Sequence, residues 1–333
     1  MFNKIKNKII NFSNFIGNNC FLSCHRDIDI SPRKKIYVYS MGWGDFLEYY
    51  FKYTVPSIYQ PSNLPLLESE GFEIIPILYT IDEPDKIYQS YGELITKYLP
   101  DNFCIEQIKL QTVGLVKHIA NEAILRVFRK SIDENALFIM APPDTIFSDG
   151  SIYNAVKSVY YKSVCFGSAH PRVKFDLLED QKIKTMACGG ESISSPTMVK
   201  LAMTHLHDKY LYANDELDEN TTYAGVSIRK INDELYSVIH NLPTTYVVYP
   251  LEEDYQFFKR KGDFNQWDRE WLQLLVKKNR IKISGASDQF FCVELTSKDE
   301  KAKTKPGLKG NDIAGNSFQN RICNMVNVTW RAE

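Results

Sequence analysis

The sequence lacks several features that would assign a protein to a class at once. A membrane-spanning helix needs about 20 consecutive apolar residues, and no run in this chain approaches that length. There is no internal repeat and no low-complexity linker, which argues against solenoids and multidomain arrays. The formal net charge is only -1, so the electrostatics of the whole chain give no reason to expect nucleic-acid binding.

Metal-binding and hydrolase motifs are also missing. The 7 cysteines include no Cys-x-x-Cys pair, and their spacing fits neither a zinc site nor a disulfide framework, which favours reduced thiols in the cytoplasm. His205 and His207 are two residues apart, so on a helix they point to different faces and cannot form a His-x-x-x-His zinc pair. No Gly-x-Ser-x-Gly motif occurs, which counts against a serine hydrolase.

Apolar runs that alternate with amphipathic stretches predict the fold. The chain has 333 residues, 44% of them hydrophobic, and its pattern predicts a single α/β domain over residues 31–296, with a mostly parallel central sheet flanked by helices. A charged loop and C-terminal tail follow over residues 297–333. Residues 1–30 form an N-terminal extension. Within it, residues 1–16 predict a basic amphipathic helix that lies either on an anionic membrane surface or on the protein itself.

The most informative stretch covers residues 136–152. An apolar run over residues 136–141 breaks at two prolines and then presents Asp144. A second apolar step leads to the polar turn Ser148-Asp149-Gly150-Ser151. Upstream, residues 113–130 carry apolar side chains at the three- and four-residue spacing of a helix with one buried face. Because open α/β sheets bind ligands beyond the carboxyl ends of their strands, this pattern predicts a site at Asp144.

Two earlier strands end in turns that add to this candidate site. The strand over residues 35–41 is followed by Gly42-Trp43-Gly44, whose glycines allow a ligand or a neighbouring backbone to approach closely. Without a third glycine the motif is weak evidence for a dinucleotide, and a tight strand-to-helix turn is the alternative. The strand over residues 73–80 ends at Thr80.

Two acids, Asp82 and Asp85, follow that second strand. Each is suited to capping the helix predicted over residues 86–99. Capping is the favoured role for Asp85, and the role of Asp82 stays open.

These features resemble the centre of a bacterial glycosyltransferase domain of the GT-A type, which uses nucleotide-diphospho-sugar donors. Such enzymes place an Asp-x-Asp motif at the end of a strand that follows a packed helix, and here Pro142-Pro143-Asp144 takes that place. The segment over residues 56–65 and the strand over residues 73–80 strengthen the resemblance. It implies that Asp144 holds Mn²⁺ or Mg²⁺ on the donor. Metal dependence stays open, because Pro142 stands where the first acid is expected.

The resemblance implies that a sugar is moved from a nucleotide-activated donor to a glycan or lipid-linked acceptor in surface-glycoconjugate assembly, in the cytoplasm at the inner membrane face. The alternative, which Pro142 favours, is a non-catalytic carbohydrate-binding or scaffold protein on the same fold. The candidates for donor binding are Gly42, Trp43, Gly44, Thr80, Asp82, Asp144, Ser148 and Arg172. The candidates for the catalytic acid or base, which we expect near the carboxyl edge of the sheet, are Asp149, Glu191 and Asp288.

Overall fold

The computed structural model describes residues 33–109, 116–207, 226–240, 243–261, 269–296 and 327–332. The predicted amphipathic helix over residues 1–16 lies outside these ranges, as does most of the segment over residues 297–333. Among the helices that are described, none has the length and apolar character needed to cross a membrane.

Thirteen strands and ten α-helices make up the described part of the chain. The strands are β1 (Lys35–Met41), β2 (Glu73–Thr80), β3 (Cys104–Gln107), β4 (Leu137–Met140), β5 (Thr145–Phe147), β6 (Cys165–Ser168), β7 (Arg172–Lys174), β8 (Val226–Asn232), β9 (Leu235–His240), β10 (Thr244–Val248), β11 (Ile281–Ile283), β12 (Cys292–Thr296) and β13 (Asn327–Arg331). The helices are α1 (Asp45–Tyr49), α2 (Val55–Ile58), α3 (Leu64–Ser69), α4 (Pro84–Tyr98), α5 (Val116–Asp133), α6 (Ser151–Val159), α7 (Gln181–Ala187), α8 (Ser195–Thr204), α9 (Glu252–Lys261) and α10 (Arg269–Lys277).

Seven strands form the central sheet, in the order β11-β6-β10-β4-β1-β2-β3. All neighbouring pairs are parallel except the two that involve β10, which runs antiparallel to both β4 and β6. The prediction of a mostly parallel sheet flanked by helices is therefore confirmed.

Strands β1 and β4 are buried on both faces because helices cover both sides of the sheet. Successive side chains on a strand point to opposite faces. Ile36 and Val38 pack in one cluster with residues of α3 and α6, while Tyr37 and Tyr39 pack in another with residues of α5. This double burial explains why the two strands are almost continuously apolar rather than alternating apolar and polar.

The strand order reverses direction between β1 and β4. The chain builds β1, β2 and β3 toward one edge of the sheet and then places β4 on the other side of β1. In open α/β sheets, such a reversal of strand order marks the crevice, outside the carboxyl ends of the strands, where ligands bind.

The segment between β1 and β2 is more helical than the sequence predicts. Residues 56–65 carry several prolines and predict a loop between two helices. In the structure, α1 continues through a π-helical turn, Tyr50–Thr54, into α2, and α3 follows. Val55, Ile58, Leu64 and Leu67 are fully buried. Their burial against the sheet outweighs the local preference of the sequence for a loop.

Two small sheets extend the central one, and the C-terminal strand belongs to the second. The first has the order β5-β12-β7 and the second has the order β13-β9-β8. The backbone amide of Thr329 in β13 donates to Gly285, and its carbonyl accepts from Ser287. The described residues of the predicted tail are thus joined by backbone hydrogen bonds to the domain that we predicted to end at residue 296.

Candidate functional site

The turns after β1 and β4 pack directly against each other at the crevice. A Cβ atom added to Gly42 would lie 3.3 Å from both Cβ and Cγ of Pro143, so a larger residue would push the two turns apart. Thr54, from the π-helical turn, donates through Oγ1 to the carbonyl of Pro143 at 2.9 Å. The predicted glycine turn and the predicted proline turn therefore form one wall of the crevice.

The Asp82 side chain stabilises the glycine turn through a hydrogen bond. The amide of Gly44 donates to Asp82 Oδ2 at 2.8 Å, and the amide of Asp82 donates to Thr80 Oγ1 at 3.1 Å. The structure thus brings the ends of β1 and β2 together as predicted. Thr80 is fully buried, so its hydroxyl supports Asp82 from behind and does not face the crevice.

The capping role that we considered for the two acids after β2 is not observed. Glu83 is the N-cap residue that precedes α4, and no side chain caps that helix end. Asp85 lies exposed in the first helical turn. Next to Asp82 is a shallow cavity of about 320 Å³, whose lining includes Leu47, Lys86 and Tyr91.

Asp144 lies at the start of β5, where that strand meets β12. Its carbonyl accepts from the amide of Leu295 at 2.8 Å, and the neighbouring Thr145 is directly opposite Glu294. The pKa of the Asp144 carboxyl is raised to about 7. Burial is the larger cause and the negative charge of Glu294 the next, while a backbone hydrogen bond and the charge of Arg172 oppose the rise.

Glu294 is a residue of this site that the sequence analysis missed. Its Oε1 accepts from Arg172 Nη2 at 2.9 Å, and its Oε2 lies 2.8 Å from His170 Nε2. His170 Nδ1 in turn lies 2.7 Å from the hydroxyl of Tyr246, which is 3.0 Å from Cys292 Sγ. In the sequence, Glu294 is distinguished only as the single charged residue of the strand Cys292–Thr296.

The direction of these hydrogen bonds follows from the burial of the inner groups. Burial raises the pKa of both the Tyr246 hydroxyl and the Cys292 thiol, so both keep their protons. Because the thiol of Cys292 donates to the oxygen of Tyr246, the Tyr246 hydroxyl donates to His170 Nδ1. The proton of the neutral His170 ring is then on Nε2, and this N–H group donates a hydrogen bond to Glu294.

Trp43 and Ser148, which we also predicted to contact the donor, pack among other protein side chains. Trp43 is half-buried and packs against the cluster on the α5 side of the sheet. Ser148 is fully buried, and its hydroxyl lies 2.6 Å from that of Ser151 and 2.7 Å from that of Ser195. We predicted that Ser148 contacts a ligand, but its burial in this hydroxyl cluster keeps it from the crevice.

The three predicted catalytic acids meet at a second cleft. Asp149, Glu191 and Asp288 all line a cleft of about 670 Å³. In the antiparallel pair of β5 and β12, Phe147 is opposite Cys292 and Thr145 is opposite Glu294. Asp149 and Asp288 therefore lie beyond one end of this pair, while Asp144 lies at the other.

We expected these acids near the carboxyl edge of the central sheet, and two of them are held by contacts with other segments of the chain. One oxygen of Asp149 accepts from the amide of Ser62 at 2.8 Å, which ties its loop to the connection between α2 and α3. Asp288 contacts Arg331 of β13 at 3.4 Å. Asp149 and Asp288 are thus both held by contacts with segments that are distant in sequence.

The acids near the crevice set a limit on how a metal ion can bind. Within the described ranges, no group of three or more His, Cys, Asp or Glu residues is placed to hold a metal ion. Mg²⁺ at a nucleotide site needs only one or two carboxylates, because phosphates and water supply the other ligands. Asp144 fits that smaller requirement. Glu294 does not, because both of its oxygens contact cationic or donor side chains.

Comparison with known proteins adds no constraint to this geometry. No protein-family model matches the sequence, and no curated protein matches it either.

Proposed function

We propose that this protein is a glycosyltransferase that binds a nucleotide-activated sugar in the crevice outside β1, β2 and β4. The observation that carries the proposal is that the glycine turn contacts both Asp82 and Pro143, the residue before Asp144, at the point where the strand order reverses. Ligands of open α/β sheets bind at such points. The resemblance of residues 142–144 to the glycosyltransferase motif supports the same assignment.

We propose that separate groups of residues contact the nucleoside and the diphosphate of the donor. We propose that the nucleoside binds in the shallow cavity beside Asp82. The hydrogen bond from the Gly44 amide fixes the orientation of the Asp82 carboxylate at this cavity. The diphosphate then lies across the glycine turn toward Asp144. Gly44 leaves its backbone open, because no atom would lie within 4 Å of an added Cβ.

Transfer requires that negative charge on the departing diphosphate be stabilised. The bond from the anomeric carbon to the acceptor oxygen forms while the bond to the phosphate oxygen breaks, and the diphosphate leaves with the electron pair. We propose that a divalent cation meets this need. When bound at Asp144, Mn²⁺ or Mg²⁺ would supply positive charge to the diphosphate.

A ligand screen tests the proposal. Thermal unfolding is measured with UDP, GDP, CMP and their sugar conjugates, each with and without Mn²⁺ or Mg²⁺. A ligand that binds only the folded protein stabilises it by about 2.7 kcal/mol at 100 times its dissociation constant. We expect one nucleotide family to raise the melting temperature and Asp144→Asn to reduce that shift. The matched control Asp288→Asn, in the other cleft, retains the shift.

The alternative function predicts a different result. A carbohydrate-binding or scaffold protein would give no shift with any nucleotide and no release of nucleoside diphosphate from a nucleotide sugar. That outcome would reject the transferase assignment. Turnover that is unchanged in Asp144→Asn would instead reject only the role of Asp144.

A further inference from the structure

We infer that Glu294 and Arg172 recognise the hydroxyl groups of the donor sugar. This inference rests on the proposed function and adds to it the part of the ligand that each residue contacts. Glu294 lies opposite Thr145 in the pairing of β12 with β5. The ion pair of Glu294 with Arg172 is therefore next to Asp144, at the end of the crevice that the diphosphate reaches.

The position of Glu294 is fixed from behind by a chain of hydrogen bonds. The thiol of Cys292 donates to Tyr246, the hydroxyl of Tyr246 donates to His170, and His170 donates to Glu294, at distances of 3.0, 2.7 and 2.8 Å. Cys292 and Tyr246 belong to the core. A carboxylate whose supporting residues are locked in this way keeps one orientation, which is what selective recognition of a ligand group requires.

The pair remains accessible at its outer side. The Glu294 side chain is 21% exposed and the Arg172 side chain 31% exposed, whereas His170 behind them is only 11% exposed. The exposed side is thus formed by the carboxylate and the guanidinium, and the supporting imidazole is set back.

The charge of the pair favours hydroxyl groups over phosphate. The Glu294 carboxylate lies 2.9 Å from the Arg172 guanidinium, and its negative charge weakens the attraction of the guanidinium for an anion. A sugar hydroxyl is both a donor and an acceptor, and it can donate to the carboxylate while it accepts from the guanidinium. Adjacent hydroxyls of a sugar ring match the adjacent groups of this pair.

The test compares a nucleotide with its sugar conjugate. Isothermal titration measures the dissociation constants of UDP and UDP-glucose, and of GDP and GDP-mannose, for the wild-type protein and for Glu294→Gln. We expect the variant to bind the sugar conjugate about 10- to 100-fold more weakly, the range for hydrogen bonds to charged groups. Binding of the free nucleoside diphosphate should stay within about twofold, since the nucleotide does not contact Glu294.

Two further variants separate recognition from folding. Arg172→Met removes the guanidinium but keeps an unbranched side chain, and it should show the same selective loss. Tyr246→Phe breaks the supporting chain behind His170 and should lower the preference for the sugar conjugate by a smaller factor than Glu294→Gln. Asp101→Asn, at an exposed acid that lines neither cavity, should leave the ratio of the two constants unchanged. Circular dichroism and melting temperature verify that each variant is folded.

The possible failures are distinguishable. If the wild-type protein binds a nucleotide and Glu294→Gln and Arg172→Met leave the ratio unchanged, the inference is wrong and the proposed function stands. An equal loss for nucleotide and conjugate would also overturn it, because the pair would then act on the nucleotide or on the fold. If the wild-type protein binds no nucleotide, the proposed function fails and takes this inference with it.

Discussion

At the scale of single residues, Asp144 differs from an ordinary surface acid because its half-buried side chain lies close to a second carboxylate. Loss of solvation is the larger cause of its raised pKa, and the charge of Glu294 is the next. The Asp144 carboxyl therefore takes up a proton at a higher pH than an ordinary surface acid does.

The substitution Asp144→Asn should change how stability depends on pH. The folded pKa, about 7, lies above the unfolded value of about 3.9. The folded protein thus binds more protons between these values, and its free energy of unfolding falls as the pH rises through that window. Asparagine cannot ionise, so at pH 8 the variant should be more stable than the wild-type protein by roughly 1–3 kcal/mol. At pH 4 this advantage should be absent.

Denaturant unfolding at pH 4, 6 and 8 measures this difference. Asp45→Asn is the control, because Asp45 is exposed and its replacement should change the free energy of unfolding by less than about 0.5 kcal/mol at each pH. A wild-type protein and an Asp144→Asn variant with parallel pH profiles would show that Asp144 ionises normally.

At the scale of elements, the turn between β1 and α1 depends on glycine for two separate reasons. Gly42 allows the close approach of Pro143. Gly44 has a φ of 55°, a conformation in which a side chain is strained. The turn is therefore fixed both by contact with the neighbouring connection and by its own backbone.

Two glycine-to-alanine substitutions should have opposite effects. Gly44→Ala should lower the free energy of unfolding by about 1–2 kcal/mol, the cost of the left-handed conformation for an L-residue. Gly92 lies inside α4 and would have no atom within 4 Å of an added Cβ. Gly92→Ala should therefore raise stability by about 0.5–1 kcal/mol. Denaturant unfolding measures both variants, and a destabilised Gly92→Ala together with a neutral Gly44→Ala would contradict this account.

At the scale of the whole molecule, the C-terminal strand completes one of the hydrophobic cores. Trp330 in β13 is fully buried in a cluster that includes residues of α8, β12 and β9, and its ring meets that of Phe291 at 5.2 Å between centroids. Residues close to the C-terminus thus pack on strands from the middle of the chain. The stability of the domain should depend on them.

Removal of this side chain tests that dependence. Trp330→Ala should lower the free energy of unfolding by about 3–5 kcal/mol, as expected for a large aromatic side chain removed from a core. The control Tyr161→Ala affects a side chain that is 66% exposed and should change stability by less than about 0.5 kcal/mol. If both variants unfold at the same denaturant concentration, β13 contributes little to the domain.

The sequence by itself determined the individual elements and the general class of the fold. Strand β2 runs over the predicted residues 73–80, and β1 over the predicted residues 35–41. The helix before β4 was also predicted. These features depend on local periodicity and on residues close in sequence, so the pattern of side chains contains them. For the same reason the glycine turn and Asp144 were identified as parts of one candidate site.

Only the tertiary structure decided which polar residues share a site. Asp149 and Asp288 were drawn to a second cleft, Ser148 was buried, and Glu294 was brought to His170 across 124 residues of sequence. Local patterns show that a strand has a buried face, but they do not show which distant segment covers it. The chemistry of a polar group depends on that segment, since burial and the charges nearby set its hydrogen bonds and its pKa.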